Sequence, residues 1–171
     1  MEKILITGNL GYIGTVMSQD LLDEGYQIIG LDTNFYRDNK LIKFKFSNEF
    51  KQIFKDLRDI SIEDFKGIDA VIHLAALSND PLGELNPKLT DNINFLTSLK
   101  LAKSAKKAGV SRFLFSSSCS IYGQTLENQL TEEAPFNPLS AHSLSKVNLE
   151  RELSKLADDS FSPIYLRNGT A

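Results

Sequence analysis

Gly8, Gly11 and Gly14 stand at three-residue spacing in TGNLGYIG, and Asp32 follows 18 residues after the last of them. Glycine lets a chain turn sharply, lets backbone approach a pyrophosphate, and lets a helix sit close to a strand, while the helix start offers amide donors and the positive end of its dipole. Three glycines alone could be an ordinary turn. With an apolar run before them, an amphipathic run after them and Asp32 closing the next apolar run, the pattern reads as a dinucleotide site. A carboxylate at this distance receives the hydroxyls of an adenine ribose and repels a 2′-phosphate, which favours NAD over NADP. Arg37 and Lys40 weaken that preference slightly and read more simply as a solvated loop surface.

A second group with chemical potential lies further along. The apolar run RFLF ends in Ser116, Ser117, Ser118, Cys119 and Ser120, and His142 and Lys146 stand four residues apart, on one face of a helix. A neutral imidazole is the commonest general base, and a neighbouring ammonium disfavours the imidazolium that such a base must become.

The elements needed to position these residues can be read from periodicity. Strands are expected at 3–7, 26–32, 52–57, 69–76, 112–118 and 163–167, helices at 12–24, from Pro87 to about Ala108, and at 139–156. In the first helix Ile13, Val16, Met17, Leu21 and Leu22 share a face. Residues 33–50 have no clean period, and SNDPLGELNP (78–87) reads as a loop. Apolar runs alternating with amphipathic ones predict an α/β fold, a Rossmann-type doubly wound parallel sheet of about six strands with helices on both faces. Ligands of such sheets bind at strand C-termini.

Composition narrows the function classes. The chain has 171 residues, 42% hydrophobic and 24% charged, enough for one domain with a sizeable core. A net charge of −3, with no long block of like charges, argues against nucleic acid and a polybasic membrane patch. The N-terminal apolar run is too short to span a bilayer. One cysteine, Cys119, excludes an internal disulfide and suits the cytoplasm. No metal-ligand set is assigned.

With these residues in place, the chain resembles the NAD-dependent sugar epimerase/dehydratase family of the extended short-chain dehydrogenase/reductase superfamily. TGNLGYIG is similar to its T-G-x-x-G-[FY]-I-G, KDLRD (55–59) to G-D-[IL]-R-D, VIHLAA (71–76) to V-x-H-x-A-A, RFLFSSSCSIYG to its serine-rich strand end with Tyr-Gly, and SLSK to the end of its Y-x-x-x-K helix. The resemblance implies NAD as cofactor and a nucleotide-sugar as substrate. It implies that Tyr12 and Ile13 present backbone amides to the pyrophosphate, that Asp56 and the Leu57 backbone meet the adenine, and that Leu74, Ala75 and Ala76 pass the phosphates and the nicotinamide ribose. Taken singly, Asp56 reads equally as the start of a turn and Leu74 to Ala76 as core. Asn94 matches an asparagine that ties neighbouring backbone segments together; alone it is a surface helix residue.

By the same resemblance Ser118 is the catalytic hydroxyl that holds the substrate oxygen, and Lys146 holds the ribose hydroxyls. Tyr122 is structural. The family's 4,6-dehydratases carry two acidic residues after that serine; Cys119 and Ser120 stand there, which favours an epimerase or a dehydrogenase/reductase. His142 occupies the position of the catalytic tyrosine, and its shorter ring predicts impaired catalysis. The sequence stops at IYLRNGTA, where the family's substrate domain begins, so 1–171 is expected to be an NAD-binding domain without that second domain. Dimerisation through helices 88–108 and 139–156 is expected. The alternative reading is a non-catalytic NAD(H)-binding module acting through a partner.

Overall fold

The computed structural model describes residues 1–35, 48–78, 80–124 and 129–169. Arg37 and Lys40, weighed against Asp32 above, lie outside the described residues, as does most of the aperiodic stretch 33–50. Six strands, β1 (Lys3–Thr7), β2 (Gln27–Asp32), β3 (Phe50–Phe54), β4 (Ala70–His73), β5 (Arg112–Ser116) and β6 (Ser162–Leu166), form one sheet in the order β3-β2-β1-β4-β5-β6. Every neighbouring pair is parallel. The order reverses direction between β1 and β4, which opens a crevice above the C-terminal ends of those two strands.

Alternation along each strand divides its side chains between two cores, as a sheet covered on both faces requires. Ile4, Ile6, Ile28, Phe50, Ala70 and Ile72 pack with Met17, Leu21 and Leu22 of helix α1 (Tyr12–Asp23). On the other face Leu5, Leu31, Val71 and Phe113 pack with Leu101, Ala102 and Ala105 of one long helix and Leu149 and Leu153 of another. The expected doubly wound architecture is the observed one.

Several boundaries differ from the sequence reading, each for a local reason. In α1 the buried residues are Gly14, Thr15 and Ser18, while Ile13 and Val16 are exposed. Small residues let the helix lie close to the sheet, so the apolar stripe is displaced toward the C-terminal half. The third strand ends at Phe54, because the Asp56 carboxylate accepts the Arg58 amide and starts a 3₁₀ turn over Leu57–Asp59. β4 ends at His73, and β5 ends at Ser116 because Ser118 caps a 3₁₀ turn over Cys119–Tyr122.

The stretch read as a loop contains helix α2 (Asp80–Leu85), with Pro81 in its first turn, where a missing N–H does no harm. Asn86 then caps α3 (Pro87–Asp91), accepting the Leu89 amide. A π-helical stretch, Asn92–Thr97, joins α3 to α4 (Ser98–Lys107), so the expected long helix is continuous but changes register in the middle. Helix α5 (Ala141–Ser154) begins at a Ser140–Ser143 capping box.

One side-chain contact ties three strands together. The Asn9 and Gln52 amides donate to each other at 2.8 and 3.1 Å, joining the turn after β1 to β3. They cross over Gly30 of β2, where a Cβ would lie 2.2 Å from the Asn9 amide nitrogen.

Candidate active site

The glycine turn is held in shape from both sides. Gly8 has φ +74, its N–H donates to the Leu31 carbonyl at 2.9 Å, and its carbonyl accepts from Gly11 at 3.1 Å. A side chain at Gly8 would meet the Ala75 backbone nitrogen at 2.7 Å, and one at Gly14 would meet the Gly8 carbonyl oxygen at 2.3 Å. These positions are therefore closed to any other residue without a shift of backbone. Gly11 precedes α1 and offers no side chain to its first turn, so the amides there, including those of Tyr12 and Ile13, have no side-chain cap. Such a bare first turn is suited to an anion.

Asp32 closes β2 beside this turn. Its carboxylate accepts the Leu10 amide at 3.3 Å and the Asn34 amide at 2.7 Å, one on each oxygen. Both sequence-predicted halves of the dinucleotide site, glycine turn and acid, are thus brought together. Leu74 follows β4 and donates to the Thr7 carbonyl at 3.1 Å, while Ala75 donates to the Thr7 hydroxyl at 3.4 Å. Leu74, Ala75 and Ala76 are half-buried along the same crevice wall.

Asp56 follows Lys55, whose amide donates to the Asp32 carbonyl at 3.1 Å. The Asp56 carboxylate is engaged by the Arg58 guanidinium at 2.7 and 3.0 Å, which holds it below the usual carboxylate range. Leu57 sends its side chain into the core. Asn94 is buried in the π-helical stretch and clamps Leu77 with both ends of its amide, accepting its N–H at 2.8 Å and donating to its carbonyl at 3.0 Å. The clamp fixes the segment that follows Ala76.

At the far side of the crevice, the Ser118 hydroxyl accepts from the Ser120 amide at 3.1 Å and from the Ser120 hydroxyl at 2.8 Å. Ser118 is the acceptor in both, which leaves its own O–H to donate. Lys146 reaches the end of the same strand, donating to the Ser116 carbonyl at 2.7 Å with its ammonium 4.7 Å from the centre of the Phe115 ring. Burial pushes its pKa down to about 8, against the opposing pull of Glu150. His142 is buried one turn earlier on α5. Gly83 of α2 lies against it: a Cβ there would be 3.8 Å from the His142 Cβ.

Three sets of residues around the site escaped sequence reasoning. His73 is buried between Thr7 at 2.6 Å and Ser98 at 2.7 Å. Ser98 donates to the Ile93 carbonyl, so the ring is assigned as Nε2–H donating to Ser98, with Nδ1 accepting from Thr7. Burial, then the nearby Lys146 charge, pushes its pKa down to about 3. Glu150 is buried at i+4 from Lys146, and its carboxylate accepts from Ser117 and from Arg167; the repeat His142, Lys146, Glu150 was the available signal. The Asn9–Gln52 pair had none, since its partners are 43 residues apart.

Comparison with known proteins identifies the family. Residues 4–171 match the NAD dependent epimerase/dehydratase family. The chain is 36% identical over 180 residues to the UDP-glucose 4-epimerase of Neisseria meningitidis serogroup C, covering 98% of this chain and 52% of that protein. Among solved structures, UDP-N-acetylglucosamine 4-epimerase from Methanobrevibacter ruminantium M1, in complex with UDP-N-acetylmuramic acid, superposes with a TM-score of 0.88 at 27% identity over 97% of this chain and 54% of its own. MoeE5 in complex with UDP-glucuronic acid and NAD superposes with a TM-score of 0.84 at 27% identity, over 96% and 54%. The chain spans about half the length of the curated relatives it matches. It has the six-stranded sheet, the glycine turn with its acid, and the serine-ended fifth strand beside a helix lysine, and it belongs to the NAD-dependent epimerase/dehydratase family.

Proposed function

We propose that this chain is the cofactor-binding half of a nucleotide-sugar epimerase or dehydrogenase, with impaired chemistry of its own. The observation that carries the reading is Ser118, whose hydroxyl is aligned by Ser120 with its proton free to donate, at the strand end that Lys146 also reaches. The residues fit a dinucleotide: Gly8 and Gly14 keep a surface clear that any side chain would fill, and the first turn of α1 has no side-chain cap. The amides of Tyr12 and Ile13 would take the two phosphates, Asp32 the adenine ribose and Lys146 the nicotinamide ribose. NAD⁺, when bound, supplies a hydride acceptor.

The chain's own residues do the rest. Ser118 donates to the oxygen of the sugar hydroxyl and orients it, and the neutral His142 imidazole accepts the proton that leaves it. Histidine needs no pull to be a base near neutrality, but the buried Lys146 ammonium one turn away opposes the charge it would acquire. Misplacement of the shorter ring adds to this, and misplaced catalytic groups are costly. Cys119 and Ser120 follow Ser118, with no carboxyl to serve an elimination, so an epimerase or dehydrogenase is preferred to a 4,6-dehydratase.

His142 also favours a second reading, a non-catalytic NAD(H)-binding module acting through a partner. Calorimetric titration of the chain with NAD⁺ tests the common part: saturable binding is expected, and its absence would reject both. A chain extended by the C-terminal half of a relative, with and without His142→Tyr, separates them through NADH absorbance on a panel of nucleotide-sugars. Turnover that appears or rises strongly with tyrosine supports the impaired enzyme. Equal turnover with histidine rejects the impairment, and none in either form supports the module.

A dimer through 88–108 and 139–156 and a cytoplasmic location belong to the same proposal. The first is supported by the exposed Leu89, Leu96 and Leu144 on those helices, and sedimentation of the purified chain tests it. No described helix is long and apolar enough to cross a membrane.

A further inference from the structure

We infer that Glu150, paired with Arg167, is a positioning residue that fixes the strand end carrying Ser118 and supplies the counter-charge behind Lys146. The inference rests on the roles given to Ser118 and Lys146 above. The Glu150 side chain is 4% exposed, and its two oxygens join three elements. Oε1 accepts from the Ser117 hydroxyl at 2.5 Å and from Arg167 Nε at 3.2 Å, and Oε2 accepts from Arg167 Nη2 at 2.8 Å. Arg167 Nη1 donates onward to the Tyr122 hydroxyl and the Glu132 carbonyl, both at 2.8 Å. Its guanidinium stacks 4.9 Å from the centre of the Phe136 ring.

Ser118 is therefore bracketed. Ser117 before it is held by Glu150, and Cys119 after it donates to the carbonyl of Asn168, the residue next to Arg167, at 2.8 Å. Asn168 in turn donates to the Ser116 hydroxyl at 3.2 Å. The end of β5 is moored to the end of β6 on both sides of the serine, and the Glu150 carboxylate is the hub of the first mooring.

A buried ion pair is weak evidence for stability, because removing two charges from water offsets most of their attraction and an apolar pair of equal volume is often as stable. What an apolar pair cannot do is accept the Ser117 proton or face an ammonium. Lys146 is one turn from Glu150 on the same helix. The other ionisable groups near it are His142 on α5, the neutral His73 from β4 and Arg167 beyond Glu150; Glu84 of α2 sits at the helix start, accepting the Ala141 amide. Glu150 is the acid that acts on the lysine.

The test uses the full 171-residue chain, Glu150→Gln, and the apolar double variant Glu150→Leu/Arg167→Met. Thermal unfolding checks that each is folded. NADH affinity is followed by fluorescence from about pH 6 to about pH 10, the range that brackets deprotonation of a buried lysine. The pH at which NADH binding is lost should fall by roughly one unit in Glu150→Gln, and by less in the double variant, which also removes the Arg167 cation. Amide exchange at Ser117 and Cys119 should quicken by about tenfold while the amides of β1 and β4 keep their rates. A loss of packing alone would weaken binding uniformly and leave that pH midpoint in place.

Unchanged midpoint and unchanged local exchange in a folded variant would overturn the inference. If the double variant does not fold, Glu150→Gln, which keeps the volume, is judged by the same two readouts. If the unsubstituted chain binds no NADH at any pH, the cofactor reading fails, and exchange at Ser117 and Cys119 alone decides whether Glu150 positions the strand end.

Discussion

Gly14 shows what one missing methyl group is worth. A Cβ there would lie 2.3 Å from the Gly8 carbonyl oxygen and 2.7 Å from the Asn9 Cα, both backbone atoms that cannot swing aside. Gly14→Ala should push α1 away from the turn and weaken NAD⁺ binding by at least about tenfold, read by calorimetry, with a fall in melting temperature. His73 sets a pH limit instead. Its folded-state pKa of about 3 lies below the ordinary 6.5, so between those values the unfolded chain binds a proton that the folded chain refuses. Stability is full above about pH 6.5 and should fall on acidification through that window by about 1.4 kcal/mol per pH unit, as an order of magnitude. Melting curves at stepped pH should show this slope, and it should flatten in His73→Asn. Both residues were visible in sequence motifs, but only Gly14 could be assigned a purpose from spacing. Histidine in an apolar strand gives no hint that two hydroxyls, 66 positions before it and 25 after it, hold its ring neutral.

The long helical segment between β4 and β5 was legible as a helix and illegible in its register. Periodicity reports which residues turn inward over many positions, and the π-helical stretch at Asn92–Thr97 shifts that phase only locally. The shift coincides with Asn94 and its clamp on Leu77. Asn94→Ala would leave a backbone donor and acceptor without their partner and should cost about 1–3 kcal/mol in urea unfolding, with weaker NAD⁺ binding because the clamped segment continues from Leu74 to Ala76. Helix α2 was misread for a related reason. Asp-Pro and a glycine are turn signals locally, yet Gly83 lies against Thr90 and His142, and Glu84 accepts the Ala141 amide at the α5 start. Tertiary contact overrides propensity there.

At the scale of the whole molecule, strand number, parallel pairing and two-sided burial followed from composition and alternation, because a sheet covered on both faces demands continuous apolar strands. Strand order was not legible, since hydropathy alone does not say which buried strand neighbours which. If NAD⁺ binds the folded chain and not the unfolded one, saturating cofactor should raise the melting temperature, and Gly14→Ala should show a smaller rise. The amide pair between Asn9 and Gln52 has a mechanical sequel. An outermost strand such as β3 ordinarily peels first, but here it is latched, across the strand between, to the very loop that would cradle the pyrophosphate. Unzipping that margin must first unfasten the cradle. A dinucleotide seated there would therefore stiffen the sheet's rim, and deuterium uptake along Phe50–Phe54 would slow at amides the ligand never touches.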